Sequence, residues 1–291
     1  MKDDARSVHA MYEALSWFVQ LANWRAHGSR FADLTMHKGL AVSDAGGSPF
    51  AATRHVNDLL LQHAGLGPGP RVLDAGCGFG ATIFHLHERL AGSYDGLTMS
   101  KRQLRAARSE ALRRRVAGAC RFHLRDYDDP IDEHYDAVVA IESLSHAPDL
   151  RRTLTNLSGA LEPGGSLLIA EDMAIRDIDA RCPAEAELLR RHWGCRRFPR
   201  ESDYEEMLPD AGLTIVGRID LTALVRHRHA AELDAKTARF GAWFRALPLA
   251  PIRGVLSAYI GGLALETLYA QREIRYQLLI ARKERRAATS R

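Results

Sequence analysis

Apolar residues recur along the chain with two different periods. Val8, Met11, Tyr12, Leu15, Phe18 and Val19 fall at three- and four-residue steps, which is one face of an amphipathic helix. A second helix is expected from about Phe50 to His63, after a loop at Ser43–Pro49, so residues 1–64 read as a helical N-terminal cap. Gly65, Gly67, Pro68, Gly69 and Pro70 then interrupt the chain. From residue 71 to about 172, short apolar runs alternate with longer helical stretches. Arg71–Asp74, Tyr94–Thr98, Arg121–Arg125, Ala137–Ile141 and Ser166–Ala170 read as buried strands, and Lys101–Val116 and Asp149–Leu161 as helices between them. Such strand–helix–strand units predict an α/β class fold, a doubly wound and mostly parallel sheet with helices on both faces. Within a core at 65–220 a charged helical insert is expected at about 173–210, before a strand at Leu213–Ile219. A helical insert or cap over 221–272 precedes the last segment, 273–291, in which Ile274, Tyr276, Leu278 and Ile280 alternate as a seventh strand. Arg282–Arg291 reads as a basic, solvated, frayed end.

Composition narrows the class without naming it. Hydrophobic residues make up 46% of 291 positions, enough for a sizeable core in one large domain. A formal net charge of +4 is too weak, and too dispersed, to predict a nucleic-acid partner. The longest uncharged apolar run, Gly254–Leu265, is too short for a membrane span, and the charged start at Met1–Arg6 is unlike a signal peptide. No integral membrane contact is expected. The four cysteines form no C-x-x-C pair and read as reduced thiols of a cytoplasmic protein. A zinc site from Cys182, His192 and Cys195 would match no familiar spacing, so no metal is expected.

The chemistry concentrates at Val72-Leu73-Asp74-Ala75-Gly76-Cys77-Gly78-Phe79-Gly80. A strand here runs through a glycine loop into a helix. Glycines let the backbone turn sharply and approach a ligand, and the helix start offers free N–H groups. The spacing is G-x-G-x-G rather than the G-x-G-x-x-G of dinucleotide folds. Asp74 would oppose a pyrophosphate but suits a sulfonium or ammonium cation.

With these residues the chain resembles the class I S-adenosylmethionine (SAM)-dependent methyltransferases over roughly residues 50 to 220. Within them it is similar to the small-molecule group of tocopherol, sterol, prenyl-diphosphate and natural-product methyltransferases. Leu73–Gly80 resembles the first motif, and Gly96-Leu97-Thr98-Met99-Ser100-Lys101-Arg102-Gln103 resembles the group's G-I-T-L-S-x-x-Q segment. Asp126-Tyr127, Ile141-Glu142-Ser143-Leu144-Ser145-His146, Leu161-Glu162-Pro163-Gly164-Gly165 and Asp220-Leu221-Thr222 follow in the group's order. The resemblance implies a seven-stranded Rossmann-like sheet with a helical cap, SAM as cofactor and S-adenosylhomocysteine as product. It places Asp74, Ala75, Gly76, Cys77, Gly78 and Gly80 around the cofactor, with Thr98, Ser100 and Gln103 by its ribose and methionine parts. Asp126 would accept from the adenine amino group, Tyr127 would cover the ring, and Glu142 would lie at the same crevice. One departure is Thr98, where many class I enzymes carry a ribose-binding acid; its absence also disfavours a nicotinamide site. Plainer roles coexist. Ser100 is a natural N-cap that Gln103 would complete as a capping box, and Asp126 shares an acidic turn with Asp128 and Asp129.

The acceptor is less constrained. Glu171, just past the fifth strand, is a candidate to take a proton from a carbocation, the alternative being that Glu171-Asp172 merely opens the charged insert. His146, before a Pro148 turn, is a second catalytic candidate with an equally simple structural role. Tyr12, Trp17, Phe18, Trp24, Phe31, Trp193, Phe240, Trp243, Phe244, Tyr259 and Tyr269 offer an aromatic lining, and Arg190-Arg191 and Arg196-Arg197 could hold a diphosphate or carboxylate. The reading leans to C-methylation of a small hydrophobic acceptor, isoprenoid or anionic. O- or N-methylation of a natural product, a cyclopropane-type lipid-modifying activity and a non-catalytic SAM-binding protein stay open, as does a homo-oligomer.

Overall fold

The computed structural model describes residues 13, 15, 16, 34, 35, 37–41, 49–195, 197–246 and 250–285. The helix face expected around Val8–Val19, the loop at 43–48, Arg196 and the end of the basic tail lie outside the described residues. A helix, α1 (Pro49–His63), leads into the sheet-forming part of the chain. There follow β1 (Arg71–Ala75), α2 (Ala81–Arg89), β2 (Ser93–Thr98), α3 (Lys101–Arg113), β3 (Cys120–Leu124) and β4 (Tyr135–Ile141). Next come α4 (Leu150–Gly159), β5 (Leu161–Ala174), α5 (Ile178–Arg181), α6 (Pro183–Trp193), α7 (Glu201–Asp210) and β6 (Leu213–Asp220). The helices α8 (Ala230–Ala246) and α9 (Ala250–Ala270) and the strand β7 (Ile274–Lys283) complete it.

The strands form one seven-stranded sheet in the order β3-β2-β1-β4-β5-β7-β6. Its first five members run parallel, while β7 is antiparallel to both β5 and β6. Neighbouring residues of one strand enter opposite layers, as a two-residue period requires. Val72, Val139 and Leu168 join the layer under α1, α2 and α3. Leu73, Val138 and Leu167 join the layer under α4 and α7. The order in which strands are added reverses at β1: β2 and β3 lie on one side of it, β4 and β5 on the other. In such a sheet the crevice for a ligand opens at that point, outside the carboxyl ends of the strands.

Two expectations change. β5 does not stop at Ala170 but continues to Ala174, because β7 returns alongside it and pairs Glu171 with Gln277 and Asp172 with Tyr276. Glu171 and Asp172 therefore belong to the sheet and are not the start of a charged insert. Arg282 and Lys283 are not part of a frayed tail either. They extend β7, and Lys283 Nζ donates to the Ser158 and Leu161 carbonyls at 2.8 and 2.7 Å. Among the described residues, no helix is long and apolar enough to cross a membrane.

Candidate active site

The carboxyl ends of β1, β2, β4 and β5 open onto a crevice of about 370 Å³, within the range of small-molecule sites. The glycine loop forms its floor. Gly76, Gly78 and Gly80 have φ of 100°, 54° and 82°, a region that side chains disfavour. At Gly76 a Cβ would also stand 2.5 Å from the Ser143 Cβ. Ser143 is fixed there because its hydroxyl donates to the Ala75 carbonyl at 2.7 Å. Gly76 and Gly78 line the crevice. Asp74, Ala75, Cys77 and Gly80 stand behind them, with Cys77 packed where Gly96 leaves room. Asp74 is only 3% exposed, and burial pushes its carboxyl up to about 7.

At the end of β2, Thr98, Ser100 and Gln103 lock together and all line the crevice. Ser100 caps α3 by accepting from the Gln103 N–H at 3.2 Å. The reciprocal half of the expected capping box is absent. The Thr98 hydroxyl already accepts the Ser100 N–H at 3.1 Å and donates to the Gln103 side-chain oxygen at 2.8 Å. Ser100 also donates to Glu13 at 2.6 Å. Past β3, Tyr127 lines the crevice and its hydroxyl donates to the Ser143 carbonyl at 2.9 Å. Asp126 does not line it; its carboxylate accepts from the Asp128 N–H at 3.0 Å within its own turn. Arg125 lines the rim instead.

The end of β4 is strained. Glu142 has φ of 48°, which is unusual for a residue with a side chain. The conformation is held on both sides. The Glu142 N–H donates to the Ala170 carbonyl at 2.9 Å, and its carboxylate accepts the Lys38 N–H at 3.0 Å. Lys38 Nζ lies 3.1 Å from that carboxylate and 2.7 Å from Asp172, and 4.3 Å from the Tyr276 ring centroid. Tyr269 donates to the other Asp172 oxygen. Burial opposes the charge on Lys38, but Asp172 and Glu142 outweigh it and hold the ammonium well above its ordinary value. Burial likewise opposes the charge on Glu142, and Lys38 overcomes it, leaving that carboxyl below its usual range.

Glu171 lies beside this cluster at 1% exposure and faces the crevice. It accepts the Leu144 N–H at 2.9 Å. Burial first, then the neighbouring charges of Asp172 and Glu142, raise its pKa to about 8. The turn Leu144–His146 carries His146 to the crevice wall, where burial lowers the imidazole to about 4 against a hydrogen bond to the Trp193 backbone. Trp193, Val255, Ala258 and Tyr259 complete the apolar side of the same space. The carboxylates, His146 and these aromatics thus meet at one end of the crevice, beyond the glycine loop.

Other expected residues lie elsewhere. Phe240 packs on Trp243 and Tyr259, and Phe244 packs edge-on against His192. Arg190 pairs with Asp179 and Glu187, and Arg197 with Asp203 at 2.8 Å, so neither reaches the crevice. Tyr12, Trp17, Phe18, Trp24 and Phe31 lie outside the described residues. Lys38 was not expected. It belongs to no motif and no regular element, and a lone lysine carries no signal of burial.

A family profile described as a methyltransferase domain matches residues 73–167. The O-methyltransferase cnsE of Penicillium expansum is 34% identical over 183 residues, spanning 59% of this chain and 63% of that protein. The O-methyltransferase rstn1 of Aspergillus nomiae is 32% identical over 157 residues, spanning 53% of this chain and 68% of that protein. The chain belongs to the class I SAM-dependent methyltransferases. Its fold is shared by the [4+2]-cyclase SpnF, at a TM-score of 0.72 and 22% identity over 96% of both chains.

The cofactor of this methyltransferase is SAM, and the crevice fits it. The glycine loop gives close backbone approach, and Asp74 buries an acid whose charge a nearby cation would offset. Gly76→Ala, which adds a Cβ against Ser143 at a φ that alanine disfavours, is expected to weaken SAM binding by about tenfold or more. Calorimetric titration with SAM checks this, and wild-type affinity in the variant would refute the loop's role.

Proposed function

We propose that this methyltransferase transfers its methyl group to an oxygen of a small, largely apolar acceptor, with His146 taking the hydroxyl proton. The observation that carries the reading is the neutral, buried imidazole of His146 beside Trp193 and Tyr259 on the crevice wall. SAM supplies an electrophilic methyl group and a good leaving group. The protein's part is to align the hydroxyl, exclude water and receive a proton. A weak base suffices for the last task, because the oxygen becomes strongly acidic as its bond to carbon forms. Hydrogen bonding to the Trp193 backbone fixes which nitrogen of the ring carries its proton. The O-methyltransferase names of cnsE and rstn1 agree with this reading. Wild-type turnover of phenols and aliphatic alcohols, compared with prenyl diphosphates and amines, tests it.

A second reading is C-methylation of an alkene, favoured by the carboxyl group of Glu171 in the same space. Here Glu171 would take a proton from the carbocation. The two readings separate in the pH profile and in one variant. If His146 is the base, kcat is flat from about pH 6 upward, since its pKa is about 4. If Glu171 is the base, kcat rises through about pH 8, where that carboxyl loses its proton. Glu171→Gln mimics the protonated side chain. It is expected to keep most activity under the first reading and to lose it under the second.

A further inference from the structure

Gly261 sits inside α9, and nothing in its backbone calls for glycine; its φ lies outside the left-handed region that marks Gly76. Alanine is the better helix former there. The reason for glycine is instead lateral. A Cβ at position 261 would stand 2.1 Å from Nε1 and 2.2 Å from Cδ1 of the Trp193 indole. That indole is held against the helix, its N–H donating to the Ala258 carbonyl at 3.1 Å. One residue earlier, His192 Nδ1 is 3.0 Å from the Ser257 hydroxyl, so α6 and α9 are joined at consecutive positions. Gly262, next along the helix, is different: a Cβ there would meet nothing within 4 Å.

Trp193 faces two ways. Its ring lines the crevice with Ala258 and Tyr259, and its backbone holds the ring of His146, whose centroid is 6.4 Å from the indole. We infer that Gly261 is a specificity-determining and positioning residue: by leaving room for the Trp193 indole it sets the depth of the acceptor space and the placement of His146. An added methyl group must push the indole off α9, and with it a part of the crevice wall. This inference rests on the proposed acceptor site for its effect on turnover, but the displacement of Trp193 does not.

The test compares Gly261→Ala with Gly262→Ala, which makes the same change in the same helix without the contact. Gly261→Ala is expected to leave SAM affinity unchanged and to raise KM for bulky acceptors by about tenfold relative to slender ones. Gly262→Ala is expected to behave as wild type. In a Trp193→Ala background, which removes the colliding indole altogether, Gly261→Ala is expected to make no further difference to that ratio. The nuclear magnetic resonance signal of the Trp193 indole N–H, assigned by its loss in Trp193→Phe, should shift in Gly261→Ala and stay in Gly262→Ala. That readout needs no turnover, so a wild-type protein inactive on every acceptor would overturn the proposed function and leave this inference decided by the spectrum. An unmoved indole signal, or equal behaviour of the two alanine variants, would falsify it. Should Gly261→Ala fail to fold, Trp193→Ala alone is expected to admit bulkier acceptors, and an unchanged selection would refute the role of the wall.

Discussion

Replacing His146 with Gln is expected to lower kcat by about 10²–10⁴-fold, the usual contribution of a positioned acid or base, with SAM affinity unchanged. Gln keeps the size and a hydrogen-bonding end, so the crevice wall is preserved while the proton acceptor is removed. The choice of variant matters because the imidazole is buried. A small replacement would leave a hollow beside Trp193 and confuse a chemical loss with a packing loss. Rapid-mixing kinetics with saturating SAM and a productive acceptor provide the measurement. An unchanged kcat would remove His146 from the chemistry and leave the Glu171 reading to be tested by its own variant.

Lys38→Met is expected to destabilise the fold by about 3–5 kcal/mol at pH 8, the range seen when one partner of a buried ion pair is removed. The lysine balances Asp172 and Glu142, which sit against each other and beside Glu171. Without it, burial and mutual repulsion raise both carboxyl groups above their unfolded values. Groups raised in this sense are stable while protonated, so the deficit shrinks at acidic pH and grows as pH rises through the shifted values. Denaturant midpoints at pH 5 and pH 8 check the sign. A variant as stable as wild type at pH 8 would show that the cluster is solvated and not the charge-balanced unit described above. The variant removes the Lys38 Nζ contact with the Glu142 carboxylate, while the Lys38 N–H that helps hold its φ of 48° stays in place.

The parts of this molecule that sequence reveals are those whose causes are local. The glycine loop, the N-cap at Ser100 and the alternation of strand and helix depend on residues a few positions apart, and all stand where the pattern places them. The same locality explains the shortfalls. The length of β5 depends on β7, whose Gln277 pairs with Glu171 across more than a hundred positions of chain. A pair of acids after an apolar run reads locally as a strand end. The capping box fails for a comparable reason: the Thr98 hydroxyl, two residues before the cap, competes for the N–H that Gln103 would use. Asp126 sits where its motif predicts, but its carboxylate is engaged by its own turn. Lys38 is illegible in principle, because its partners come from β5, β7 and the residue just past β4, all far away in the chain.

The placement of β7 also bears on how the chain is made. As synthesis proceeds, β5 and β6 both precede the strand that lies between them in the sheet. Until residue 283 has left the ribosome, β6 has no neighbour to pair with, and the far half of β5 presents an open edge carrying two acids. Long-range pairing of this kind is slow and leaves unpaired edges exposed meanwhile. The nascent protein would therefore hold a formed glycine loop and β1–β4 before it has a sheet on which Glu171 and Asp172 can be buried. The cluster of Lys38, Glu142 and Asp172 can close only once β7 is in place.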